Sequence, residues 1–140
     1  MSDIQVLIEA ARAARERAYA PYSRFHVGAA LRTRDGSIFS GCNIENASYG
    51  LCNCAERTAL FTAIAAGYKT GDFTQLAVIA DTPRPCAPCG ACRQVILELG
   101  GRDLTVIQAN LGGEVAQTTA GELLPGAFGA DALGNSKTSR

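Results

Sequence analysis

Cysteine is the residue type best placed to do chemistry in this chain, at Cys42, Cys52, Cys54, Cys86, Cys89 and Cys92. The last three form a C-x2-C-x2-C run, and a single Asn53 separates Cys52 from Cys54. The first residues, MSDIQVLIEAARAARERAY, carry charges throughout and lack the basic cap and apolar block of an export leader. Thiols at this density are then expected to stay free or to hold a metal in the reducing cytoplasm. Zinc is the first metal to consider, because thiolates are among its ordinary ligands.

Two stretches put cysteine where a helix should begin. Cys54-Ala55-Glu56-Arg57 leads a run rich in Ala, Leu and Ile that stops at Gly67, and Pro88-Cys89-Gly90-Ala91-Cys92 leads another that closes at Gly100-Gly101. The positive end of a helix favours a thiolate, so two such ends aimed at one place would stabilise three sulfurs on a single ion. Cys89 and Cys92 share a helical face. Cys54 and Glu56 stand about 200° apart on a regular helix, so both reach one site only if Cys54 occupies the very start.

Three protein sulfurs leave the fourth tetrahedral position of zinc open to water, the arrangement of a catalytic centre. A fourth protein ligand, such as Cys52 or Cys86, would instead close a structural module. With the position open, Glu56 is the candidate acid and base, and Arg57 the candidate hydrogen-bond donor to a ligand sulfur. The helix dipole alone also favours Glu in a first turn, so the combined pattern is far more specific than any part of it. A thiol redox protein is disfavoured, since no isolated C-x2-C follows a thioredoxin-like strand.

These residues need a frame. Residues 3–19 space Ile4, Leu7, Ile8, Ala11, Ala14 and Ala18 as an amphipathic helix ending before Pro21. Apolar runs at 25–31 and 38–44, joined through Asp35-Gly36, predict an antiparallel hairpin. A helix over 54–66, an all-apolar strand at 76–80, a helix over 89–99 and a strand at 104–109 follow, implying parallel crossovers under helices. Leu111-Gly112-Gly113 is too short for a crossover, so a fifth strand at 114–118 should return antiparallel. Thr119 and Glu122 then form a capping box for a brief helix ended by Pro125.

Composition bounds the rest. The 140 residues are 47% hydrophobic, which suits one core, and thirteen Lys plus Arg balance thirteen Asp plus Glu. Zero net charge builds no field for a polyanion, so a nucleic-acid partner is not expected, and no apolar run is long enough to span a membrane. One domain over 1–130 is expected, with a mobile polar tail over 131–140.

The paired cysteine motifs resemble those of the zinc-dependent cytidine deaminase family, in its small homotetrameric form. Phe25-His26-Val27-Gly28-Ala29 is similar to that family's first-strand motif. Asn43-Ile44-Glu45-Asn46 is similar to its sugar-binding motif, and Leu123-Leu124-Pro125-Gly126-Ala127-Phe128 to its C-terminal segment. The resemblance implies an α/β fold, a three-layer α/β/α arrangement around a mixed five-stranded sheet. It further implies one Zn²⁺ per chain on Cys54, Cys89 and Cys92, with Glu56 as proton shuttle and Arg57 beside the ligand sulfurs. Substrate contacts would come from Phe25, Asn43, Glu45, Ala55, Tyr49 and Phe128. The implied activity is hydrolytic deamination of cytidine and deoxycytidine in pyrimidine salvage, in the cytoplasm, by a homotetramer with shared active sites. An aminonucleoside antibiotic deaminase of the blasticidin type would share the cysteine and glutamate motifs. Segments 46–51 and 125–130, poor in charge and containing Tyr49 and Phe128, have the composition of an interface.

Overall fold

The computed structural model of the chain describes residues 1–134. Helix α1, Asp3–Arg15, starts on Ser2, whose hydroxyl accepts the Gln5 N–H at 3.2 Å. It stops at Arg15 and not at Tyr19. The Tyr19 N–H instead donates to the Asn43 carbonyl at 3.0 Å and its carbonyl accepts the Glu45 N–H at 2.8 Å. The apolar spacing carries through Ala18 regardless, which is why periodicity alone overran the helix end.

Strands β1, Val27–Thr33, and β2, Ile38–Cys42, form the antiparallel hairpin, with Gly36 at φ 92° in the turn. Beyond them come α2, Ala55–Ala65; β3, Phe73–Ala80; α3, Gly90–Gly100; β4, Thr105–Asn110; β5, Val115–Thr119; and α4, Ala120–Leu123. The sheet order is β2-β1-β3-β4-β5, with β3 and β4 parallel and every other neighbouring pair antiparallel. The parallel crossover expected from the strand and helix order is made directly by β3, α3 and β4. Its earlier counterpart, from β2 through α2 to β3, spans the intervening β1. Thr119 caps α4 by accepting the Glu122 N–H at 3.2 Å, and its hydroxyl donates to Glu122 Oε1 at 3.0 Å, so the glutamate returns to the hydroxyl.

Both sheet faces are covered. Leu7, Ile8 and Ala11 of α1 pack on Ala30, Ala77, Ile79, Ile107 and Ala109, while α2, α3 and α4 cover Ala29, Leu31, Leu76, Val78 and Val106 from the other side. Leu31, Leu60, Leu76 and Ile96 are fully buried, and each contributes about 1.5–3 kcal/mol relative to exposure. Two glycines set the spacing of the layers. A Cβ on Gly28 would lie 1.9 Å from the Ala11 carbonyl oxygen of α1, and one on Gly41 would lie 2.5 Å from the Ala59 nitrogen of α2.

No helix among the described residues is long and apolar enough to cross a membrane. A 3-10 turn at Ala130–Leu133 carries the chain to Gly134, so 131–134 of the expected tail have a defined path, and 135–140 lie outside the described residues.

Candidate metal centre

Cys54 and Cys89 are the N-cap residues of α2 and α3, both in extended backbone (φ −77°, ψ 157° and φ −69°, ψ 169°). Neither side chain caps its own helix, so each sulfur is free to turn toward the space between the two N-termini. Cys92 joins them from the first turn of α3. The three sulfurs lie within 4.8 Å of one another, with Cys54 Sγ and Cys89 Sγ 3.8 Å apart. Zn–S bonds of about 2.3 Å in a tetrahedron require sulfurs about 3.8 Å apart, so the donor set fits one zinc ion. Among the described residues the group comprises these three alone, which leaves a tetrahedral ion one position unfilled by protein.

Arg57 Nη2 donates to Cys54 Sγ at 3.2 Å, while its Nε is buried without a partner. The Cys54 thiol is held down at about 5, first by a hydrogen bond from Cys92 and then by Arg57 and Cys89, against the effect of burial. Cys92 is correspondingly pushed up, first because its thiol donates a hydrogen bond to Cys54 and then by burial. Two helix N-termini and a guanidinium thus converge where thiolate charge must collect.

Glu56, next to these groups in the first turn of α2, is only 4% exposed. Burial raises its carboxyl to about 7, with the Cys54 charge adding to the shift and Arg57 opposing it. A carboxyl poised there holds or releases a proton near neutral pH. Cys86 is half-buried against the core on this side, its thiol raised to about 11 by burial and then by Glu56, but it stands outside the three-sulfur group. Cys52 Sγ accepts the Asn46 N–H at 3.3 Å, and burial raises the Cys42 thiol.

Asn43 and Glu45 use their polar atoms on the loop before β1. Asn43 Oδ1 accepts the Val27 N–H at 2.8 Å and its Nδ2 donates to the Phe25 carbonyl at 2.7 Å. Glu45 Oε1 accepts the Tyr22 and Ser23 N–H groups at 2.9 and 3.1 Å. Ile44 between them exchanges backbone hydrogen bonds with Asn53 at 2.9 and 2.8 Å, so this segment is stapled to the residue preceding Cys54. Asn53, which sequence reasoning passed over, also donates to Thr58 Oγ1 at 3.1 Å, and its adjacency to Cys54 was the only signal available. Phe25, Tyr49 and Phe128 are 44%, 74% and 62% exposed, whereas Ala55 is fully buried in the core at the start of α2. Gln94 Nε2 donates to the Phe128 carbonyl at 2.8 Å and Arg93 Nη1 to the Leu123 carbonyl at 3.2 Å, tying the C-terminal segment to α3.

Residues 1–108 match the family model described as the cytidine and deoxycytidylate deaminase zinc-binding region. A cytidine deaminase of Halalkalibacterium halodurans is 59% identical over 92% of this chain and 96% of its own length. One of Sporosarcina psychrophila is 52% identical over 94% of this chain and 95% of its own. The crystal structure of cytidine deaminase from Burkholderia pseudomallei superposes with a TM-score of 0.89 at 64% identity, covering 91% of this chain and all of that one. The matched region contains both cysteine-led helix starts and the buried glutamate, and on that ground the chain belongs to the cytidine and deoxycytidylate deaminase family that carries this zinc-binding region.

Proposed function

We propose that the protein deaminates cytidine and deoxycytidine by hydrolysis, giving uridine or deoxyuridine and ammonia, as a step of pyrimidine salvage. The observation that carries this reading is Glu56, buried and raised to about 7, beside a three-cysteine group that leaves a fourth metal position open. Cys54, Cys89 and Cys92 would hold one zinc ion per chain. When bound, zinc supplies a Lewis acid that makes water more acidic at that open position. Three thiolates leave the centre net negative and weaken this effect relative to imidazole ligands, so a neighbouring base matters more. Glu56 takes one proton of the water that attacks C4 and delivers it to N3, then takes the remaining water proton from the C4 hydroxyl and passes it to the departing amine. The water oxygen becomes the carbonyl of the product and the exocyclic nitrogen leaves as ammonia. Arg57 offsets sulfur charge through its contact with Cys54.

Asn43 and Glu45 are assigned to the ribose and Phe25 and Phe128 to the pyrimidine, with Tyr49 a further substrate contact and Ala55 buried behind the site at the start of α2. Phe128 would be supplied by a neighbouring chain of a homotetramer. Six free thiols suit the reducing cytoplasm. Zinc-loaded protein is expected to release ammonia from cytidine and deoxycytidine and to turn over cytosine and CMP poorly. Absence of ammonia from both nucleosides would overturn the reading, and preferential turnover of blasticidin would move it to the antibiotic deaminases.

A further inference from the structure

The loop before β1 is held in shape although its residues are exposed. Tyr22, Ser23, Arg24 and Phe25 all face solvent, so core burial does not dictate where they sit. Arg24 has φ 59°, an uncommon conformation for a residue other than glycine, which persists only where its surroundings over-determine it. Those surroundings are the Ala20 carbonyl, which accepts the Arg24 N–H at 2.9 Å, and side chains of the segment after β2 that hold its neighbours. Asn43 grips the Phe25 carbonyl and the Val27 N–H, and Glu45 grips the N–H groups of Tyr22 and Ser23.

Ser23 joins the two ends of this arrangement. Its hydroxyl donates to Glu45 Oε2 and accepts the Phe25 N–H at 3.0 Å. An ionised carboxylate offers about four lone-pair positions. Two on Oε1 and one on Oε2 are used, which leaves one on Oε2 for a hydroxyl donor from outside the chain. The Glu45 carboxyl is held below its usual range, first by the Ser23 hydroxyl, so it remains an acceptor. Ser23 and Glu45 also line a pocket of about 330 Å³ with Tyr22, Tyr49 and Cys52, which places the pair at an open cavity.

We propose that Ser23 is a positioning residue for nucleoside recognition, its hydroxyl coupling the orientation of the Glu45 carboxylate to the placement of Phe25. The assignment rests on the deaminase reading, in which Glu45 receives a sugar hydroxyl and Phe25 meets the base. One hydroxyl then sets the distance between sugar recognition and base recognition.

The test compares wild type, Ser23→Ala and Ser23→Thr in the full zinc-loaded chain. Loss of a hydrogen bond to a charged group is expected to raise KM for cytidine by about tenfold or more in Ser23→Ala, with a much smaller change in kcat. Threonine keeps the hydroxyl and has solvent beside it, so Ser23→Thr is expected to restore KM. Without any nucleoside, the Tyr22 and Phe25 amides of Ser23→Ala are expected to exchange hydrogen faster than in wild type, at unchanged zinc content. An active wild type whose KM is matched by Ser23→Ala, whether or not exchange speeds up, would overturn the role of Ser23 alone. So would a threonine variant as impaired as alanine. A wild type that deaminates no cytidine would overturn the deaminase reading and this role together.

Discussion

Glu56 and Arg57 are adjacent in sequence, yet one is buried to hold a proton and the other reaches across to a sulfur, and their substitution should separate the two tasks. Glu56→Gln preserves shape and burial but cannot carry a proton. It is expected to keep zinc and fold while losing at least the roughly 10²-fold that general acid and base catalysis contributes. Near-normal turnover would remove Glu56 from the chemistry. Arg57→Ala is expected to weaken zinc binding about 10- to 100-fold, the usual effect of losing a group that supports a ligand. The sign with pH follows from Cys54. Its thiol is lowered to about 5 with Arg57 among the causes, and zinc needs the thiolate, so removing Arg57 lets protons compete for the sulfur at higher pH. Zinc release to a chromophoric chelator should therefore begin at higher pH in the variant, and coincident release curves would reduce Arg57 to a packing role. The grouping of Cys54, Cys89 and Cys92 and the position of Glu56 in the first turn of α2 were legible in the sequence because helix-start spacing fixes their geometry. The hydrogen bonds of Asn43 and Glu45 were not, since long-range contacts from side chain to backbone leave no periodic trace.

Elements deliver these residues only if the layers sit close together, and Gly28 and Gly41 test this on opposite faces of the sheet. Gly28→Ala forces a Cβ against the Ala11 carbonyl of α1, which bears no site residue. Gly41→Ala forces one against Ala59 and Ala55 of α2, the helix capped by Cys54 and carrying Glu56. Overpacking against backbone costs about 1–3 kcal/mol, so both variants should melt earlier than wild type. Only Gly41→Ala is expected to lose zinc per folded molecule as well, because its clash is relieved by moving α2. Equal zinc content in the two variants would show that the centre tolerates displacement of α2. The succession of strands and helices along the chain was readable from apolar runs and turn residues, down to the antiparallel return of β5. The end of α1 was not, because Tyr19 gives its backbone to the segment after β2, a choice made by tertiary pairing while the apolar spacing continues. Nor could hydrophobic pattern show that β1 would lie between β2 and β3, since strand order in space depends on pairings distant in sequence.

At the scale of the whole molecule, the described chain leaves two aromatic rings largely uncovered. Tyr49 meets Tyr22 edge-on at 6.1 Å between ring centroids and still stays 74% exposed, and Phe128 is 62% exposed although Gln94 fixes its main chain on α3. Neither ring is packed under its own loop. A held backbone with a bare aromatic ring is what an interface presents before its partner arrives. The homotetramer proposed above gives both rings a place, with Phe128 covering the base in a neighbour's pocket. Light scattering at working concentration is expected to give the mass of four 14.6 kDa chains. Mixing supplies the sharper test. A Glu56→Gln chain retains Phe128 and a Phe128→Ala chain retains Glu56, so hybrid tetramers contain sites that combine the intact glutamate of one chain with the intact phenylalanine of another. Activity in the mixture should then exceed that of either parent, and should fall again when dilution separates the subunits. A fully active monomer, or no recovery in hybrids confirmed to form, would show that Phe128 serves its own chain or none.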